Sequence, residues 1–259
     1  MSTNIADKAV IAVFSSGAWR VTRTHAAETD AVNSKHNTDK ATVKVSVCDH
    51  PLLKQIGLVI SRARADHYKI TLPAADDGMR LLPNAQQLKH SEIMQKHGAE
   101  FSTLVVEFCR QYEALRAAAP QDSLYVPEHW PELDRVRSCF RLTCRYLPVP
   151  ALGQWDTWVK ESADSGAADL RERVSVVIRK FVATLSDKDK IFRDSLINNL
   201  REVIYLVDDL NVGSDPGIAR LIDSVRPLAA INPDDLREDM ALRADTATRA
   251  ADICSLFNL

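Results

Sequence analysis

Apolar residues recur with helical spacing over most of the chain. Phe101, Leu104, Val105, Phe108, Tyr112 and Leu115 stand at i, i+3, i+4, i+7, i+11 and i+14, one stripe that ends before Pro120. A second stripe runs through Leu170, Val174, Val177, Ile178, Phe181 and Leu185. A third joins Phe192, Leu196, Leu200, Val203, Ile204 and Val207 and stops at Asn211-Val212-Gly213. Two shorter helices are predicted at about 216–229 and 234–256, with Asp234 and Asp235 suiting the N-terminus of the second. Upstream, LLKQIGLVISRARA follows His50-Pro51 and predicts a helix with proline in its first turn.

Strand signals are fewer. Residues 8–22, KAVIAVFSSGAWRVT, are rich in β-branched and aromatic side chains and break at Ser-Ser-Gly, which predicts a strand or a bulged pair. A short helix opened by Pro131 and a strand near 139–147 are predicted in YVPEHWPELDRVRSCFRLTCRYLPVP. Residues 24–42 offer almost nothing to bury and predict a mobile arm. The expected class is α+β, predominantly α: long antiparallel helices with a small N-terminal antiparallel β element. It is not an OB-fold, because the helical stripes leave too few strands for a five-stranded barrel. Within one compact unit, residues 1–150 form a mixed half carrying the arm and residues 151–259 a helical half.

Charge sharpens that division. The formal net charge of the 259 residues is −2. Residues 1–150 carry 19 Lys and Arg against 16 Asp and Glu, and residues 151–259 carry 14 against 19. The first half therefore suits a polyanion and the second a protein partner. Five cysteines without repeated spacing predict reduced thiols and a cytoplasmic setting. The early apolar run at 9–14 is too short for a signal-peptide core, and no run approaches the roughly 20 apolar residues of a membrane span.

Catalytic signatures are missing from the sequence. No glycine-rich loop precedes a lysine, and GxSxG, HExxH and CxxC do not occur. Cys139 and Cys144 are five residues apart on the predicted strand, which sends them to opposite faces and argues against a zinc site with Cys48 and His50. The segment RADHYKITLPAADDGMRLLPN, 64–84, gathers His67, Tyr68, Lys69, Asp76 and Asp77. Its Asp-Asp-Gly reads as a turn in which Gly78 supplies positive φ and Pro73 and Pro83 act as stiffeners. No enzyme activity, catalytic residue, metal or cofactor is expected.

Basic and aromatic residues do interleave, as they do where single-stranded nucleic acid is held by phosphate contacts and base stacking. Trp19, Arg20 and Arg23 end the first strand. Lys35, Lys40 and Lys44 lie in and beside the arm. Arg62, Arg64, His67, Tyr68 and Lys69 follow a helix end. Arg137, Arg141 and Arg145 can share one face of the predicted strand. These are the candidate nucleic-acid-binding residues, with Tyr68 or Trp19 as the stacking face and Arg62, Arg64 and Lys69 as groove cations.

Three stretches, HPLLKQIGLVISRARADHYKITLPAADDGMRLLPNAQ, YVPEHWPELDRVRSCFRLTCRYLPVP and KIFRDSLINNLREVIYLVDDLNVGSDP, resemble an uncharacterised family of bacteriophage proteins. The Trp19-Arg20 region and DLREDMALRADTATRAADI extend the likeness over most of the chain. In size and character the chain also resembles the single-stranded-DNA-binding RNA polymerase cofactors of podophages that encode their own RNA polymerase. The resemblance implies a protein of the host cytoplasm that holds melted DNA for transcription or replication, with a phage RNA polymerase as partner; the long amphipathic helices, which often leave apolar surface for a second copy, predict self-association into a homo-oligomer. The alternative is a helical adaptor without nucleic-acid affinity.

Overall fold

The computed structural model describes residues 5–74, 78–119, 124, 126–149 and 156–259. The helical stripes become helices, and the protein is α+β and predominantly α with a small antiparallel sheet. Strands β1 (Ala9–Gly17), β4 (Leu72–Pro73), β5 (Met79–Pro83) and β6 (Arg141–Pro148) form one sheet in the order β4-β5-β1-β6, and β2 (Thr22–Thr24) pairs with β3 (Lys44–Ser46). The helices are α1 (Ala26–His36), α2 (Pro51–Lys69), α3 (Gln87–Ala117), α4 (Leu133–Cys139), α5 (Asp156–Leu185), α6 (Ser195–Leu210), α7 (Pro216–Ala229), α8 (Asp235–Glu238) and α9 (Met240–Phe257).

The chain divides into two units that do not follow the sequence halves. Unit 1 comprises Met1–Val13, Tyr68–His90 and Arg145–Leu259; unit 2 comprises Phe14–His67 and Ser91–Cys144. Redrawing the boundaries dilutes the charge contrast. Unit 2 carries 14 Lys and Arg against 13 Asp and Glu, and unit 1 carries 19 against 22. A polyanion site in unit 2 must therefore be local, because the unit as a whole is nearly neutral.

Unit 1 is built on α5. Its buried stripe of Leu170, Val174, Ile178, Phe181 and Leu185 meets α6 and α9, while α7 closes against α6 and α9. In α6, Leu196, Ile197, Leu200, Ile204, Val207 and Leu210 are all buried, an amphipathic face facing the core. In the sheet, Ile11, Leu72 and Leu81 join the same core, with β1 and β5 antiparallel from Ala9↔Pro83 to Val13↔Met79. The expected helix at 234–256 breaks at Asp239. Its carboxylate accepts the amides of Ala241 (2.8 Å) and Leu242 (2.9 Å), starting α9 afresh. Asp215 caps α7 in the same way through the amides of Gly217 and Ile218, ahead of Pro216.

Two arginines, one buried and one half-buried, close helix ends. Arg243 of α9, 6% exposed, reaches the carbonyls of Thr184 (3.1 Å), Leu185 (3.1 Å) and Lys190 (2.9 Å) at the end of α5 and just beyond it, and also that of Asp187. Its guanidinium lies 5.3 Å from the centre of the Phe192 ring. The last carbonyls of a helix have no intrahelical partner, so a cation with several donors is the group best able to satisfy them. Arg173 does the same within unit 1 for the carbonyls of Tyr68 (3.0 Å) and Thr71 (2.9 Å), and pairs with Asp169 at 2.7 Å.

Unit 2 has an aromatic core. Trp19 meets Tyr112 edge-on at 5.5 Å and lies 5.9 Å from Trp130 and 6.1 Å from Phe108, with Ile56, Val59 and Val136 around them. Tyr112 donates to the Pro131 carbonyl at 2.6 Å, and burial pushes its phenol up to about 12. At Gly17 the chain passes so close to α4 that a Cβ would come 2.8 Å from the Cys139 carbonyl, so this position requires glycine.

Three sequence expectations change here. The proline-bracketed turn of 73–83 is a β4–β5 hairpin, Leu72↔Leu81 and Pro73↔Arg80, because the apolar Leu81 and Leu82 pair into the sheet. Gly78 takes φ +79° as the turn reading required, and Asp76 and Asp77 lie outside the described residues. Cys139 and Arg137 belong to α4, and only Arg141 and Arg145 of the predicted strand cations stand on β6.

Candidate nucleic-acid interface

The most distinctive surface in unit 2 is the excursion expected as a mobile arm. It is a β–α–β element: β2 leads into α1 and β3 returns antiparallel, with Thr22↔Ser46, Arg23↔Val45 and Thr24↔Lys44 in register. The ladder extends at both ends through Val47 N–H to the Val21 carbonyl (2.7 Å) and His25 N–H to the Val43 carbonyl (3.0 Å). Helix α1 buries no residue, so packing does not hold it. Polar side chains do. Asn33 accepts the Ala41 amide (3.0 Å) and donates to its carbonyl (3.3 Å), and Thr29 accepts the Val43 amide (3.0 Å). His25 caps α1 by accepting the Glu28 amide at Nδ1 (3.2 Å), which puts the ring proton on Nε2 when the imidazole is neutral. Asn37 ends the helix in the left-handed region at φ 48°.

Strand alternation sorts the ribbon into two faces. Arg23 and Val45 are half-buried on one, while Thr22, Thr24, Lys44 and Ser46 are exposed on the other. Arg20 is exposed just ahead of β2, and Lys35 and Lys40 are exposed on α1 and the return segment. None of Arg20, Arg23, Lys35, Lys40 and Lys44 enters an ion pair among the described residues. Hydroxyls and unpaired cations on an exposed ribbon are the side chains that contact phosphate oxygens. Burial holds the imidazole of His129 below its ordinary value, and the nearby charge of Arg23 and then His25 adds to the effect. His129 is the titratable group that senses charge at this ribbon.

The other predicted residues are placed differently. Trp19 is 4% exposed, so no base can stack on its ring; it is a core residue, whose flanking Arg20 alone points outward. His67 is 1% exposed and stacks on Phe14 at 5.3 Å. Arg62 pairs with Glu100 at 2.6 Å and is not a free groove cation, whereas Arg64 donates to the neutral Ser16 hydroxyl at 3.0 Å and enters no ion pair among the described residues. Arg137 pairs with Asp134 at 3.4 Å. On β6, Arg141 and Arg145 share the exposed side with Thr143 and Leu147. In unit 1, Tyr68 is 49% exposed with the Arg80 guanidinium 4.5 Å from its ring centre, and Lys69 is exposed. Burial lowers the pKa of that arginine, which also donates to Thr71 Oγ1 at 2.6 Å.

The sequence missed the features that order the ribbon. An apolar stripe was the signal sought for a helix, and α1 has none. The readable signs were the polar ones: Thr29 and Asn33 at i and i+4, and an asparagine at the helix end.

Of groups able to hold a metal within unit 2, His67 and Cys144 bring ligand atoms within 4.8 Å of one another, two of the four donors a tetrahedral zinc requires. No helix among the described residues is long and apolar enough to cross a membrane.

Fold and surface together define a predominantly helical α+β protein that carries a polar, cation-bearing β-ribbon. No protein-family model, no curated protein and no solved structure matches the chain.

Proposed function

We propose that the protein binds single-stranded DNA through the β2–α1–β3 excursion and is not an enzyme. The observation that carries this reading is the exposed ribbon face of Thr22, Thr24, Lys44 and Ser46, flanked by Arg20 and Lys40 and without ion pairs among the described residues. Phosphate contact supplies the affinity, without sequence preference. Glu28, Asp30 and Asp39 are interspersed with the cations. A pliable single strand can thread between such charges, whereas a duplex presents its phosphates on a fixed path. The resemblance to bacteriophage proteins supports a role in phage transcription or replication in the host cytoplasm, with a phage RNA polymerase as the partner in the first case.

Titrating fluorescent single- and double-stranded oligonucleotides at two salt concentrations tests the reading. Single strands are expected to bind more tightly, with affinity falling as salt rises; equal or absent binding of both would sink it. His129 gives a second readout. Its ring resonances should titrate below the usual histidine range in the free protein, and bound phosphates should move that midpoint upward by offsetting Arg23 and His25. An unmoved midpoint at saturating oligonucleotide would place the strand elsewhere.

The second reading is the helical adaptor. Exposed apolar side chains on the outer faces of α5 and α6, Val176 and Tyr205, favour it.

A further inference from the structure

A groove of about 300 Å³ runs along unit 1 between α5 and α6, lined by Val176, Val177, Leu196, Val203 and Leu206 and rimmed by Lys69, Lys180, Asn199 and Glu202. Val176 is 57% exposed, and Tyr205, one residue from Leu206 on α6, is 67% exposed. Large apolar side chains left open in this way beside an apolar groove mark a contact surface. Both helices already bury their other faces: Val174, Ile178 and Phe181 of α5 and Leu200, Ile204 and Val207 of α6 belong to the core. Leu196 of the groove is itself a core residue and Val177, Val203 and Leu206 pack against that core, so the groove is the outward edge of the α5–α6 seam.

We propose that this groove is the contact face between two copies of this chain. The charges on its rim select that occupant. Lys69, Lys180 and Glu202 have no ion-pair partner among the described residues. An acidic peptide would satisfy the lysines and set its carboxylates against Glu202, and a basic one would reverse the conflict. A second copy brings both signs. In a two-fold pairing whose axis runs along the groove the same patch meets itself, and α5 with Lys180 lies against the other copy's α6 with Glu202. Val176 then passes from water into the apolar seam, which drives association, while the Lys180–Glu202 crossing fixes orientation.

Sedimentation of the full chain over roughly 1 to 100 μM tests this by mass action. The mass should rise with concentration from the 28.9 kDa of one chain toward twice that value. Val176→Asp should hold it at one chain, with the thermal midpoint of wild type diluted to a single chain, since the position is exposed. Lys180→Glu and Glu202→Lys should each weaken the dimer at least about tenfold, and the double exchange should restore most of the loss. A wild type that stays at one chain mass overturns the proposal. So does a dimer indifferent to Val176→Asp, or a double exchange no better than either single change. Oligonucleotide binding by the Val176→Asp monomer separates this outcome from the ribbon reading.

Discussion

Trp19→Ala is expected to lower the stability of unit 2 by about 3–5 kcal/mol, the usual cost of deleting a large buried aromatic ring. The ring is the hub of the aromatic cluster, touching Phe108, Tyr112 and Trp130, and no neighbour can collapse into the space without breaking those contacts. Its indole N–H is buried without a hydrogen-bond partner among the described residues. A phenylalanine would remove that orphan donor, whose burial costs about 1–3 kcal/mol, and keep much of the apolar contact. Trp19→Phe should therefore cost far less than Trp19→Ala in urea unfolding followed by circular dichroism. Neither folded variant should lose oligonucleotide affinity. A Trp19→Phe protein that folds as the wild type and fails to bind would return the residue to the interface.

Arg243→Ala is expected to be the most damaging change in unit 1. Truncation leaves the carbonyls of Thr184, Leu185, Asp187 and Lys190 without their shared donor, the first two at buried residues and the last two at exposed ones. Hydrogen bonds to a charged group contribute about 1.5–3 kcal/mol each in favourable cases, and their losses overlap, so a total of about 3–5 kcal/mol is expected. The urea midpoint should fall accordingly. Arg249→Ala on the same helix, whose side chain is half exposed and reaches only Asp245 at 3.7 Å, should change it by less than about 0.5 kcal/mol. Equal effects at the two positions would mean that Arg243 does not hold the end of α5.

These two residues also mark the limits of what the sequence discloses. Stripes such as Leu170 to Leu185 predict helices because burial of one face repeats every 3.6 residues; α3 and α5 contain their stripes, α6 contains its own except for Phe192, which precedes the helix, and α7 matches the predicted 216–229. Trp19 and Arg243 carry no such signal. A tryptophan beside an arginine reads equally as a base-stacking pair or as a core ring with a solvated neighbour, and only the positions of Phe108, Tyr112 and Trp130, far along the chain, decide it. Arg243 reads as a surface residue of an ordinary helix, because its partners are backbone carbonyls more than 50 residues upstream. Arg62 looked like a free cation for the same reason; Glu100 lies 38 residues away.

The candidate site was legible in composition and illegible in form. Arg20, Arg23, Lys35, Lys40 and Lys44 were singled out by charge, and the structure gathers them on one excursion. That this stretch folds as a ribbon and helix depends on Asn33 clamping Ala41 and Thr29 clamping Val43, local polar bonds that hydrophobic periodicity does not register. The contiguous charge halves also lost meaning once the two units proved to be interleaved along the chain.

The central claim, that unpaired cations of the β2–α1–β3 excursion hold single-stranded DNA by its phosphates, is tested most directly by the salt dependence of binding. Each phosphate contact contributes about 0.7 to the slope of log affinity against log salt for a single strand. The combined change Arg20→Glu, Lys40→Glu and Lys44→Glu should then weaken binding and flatten the slope by about 2, with the fold unchanged because all three side chains are exposed. A triple variant that binds with the wild-type affinity and the wild-type slope would contradict the account.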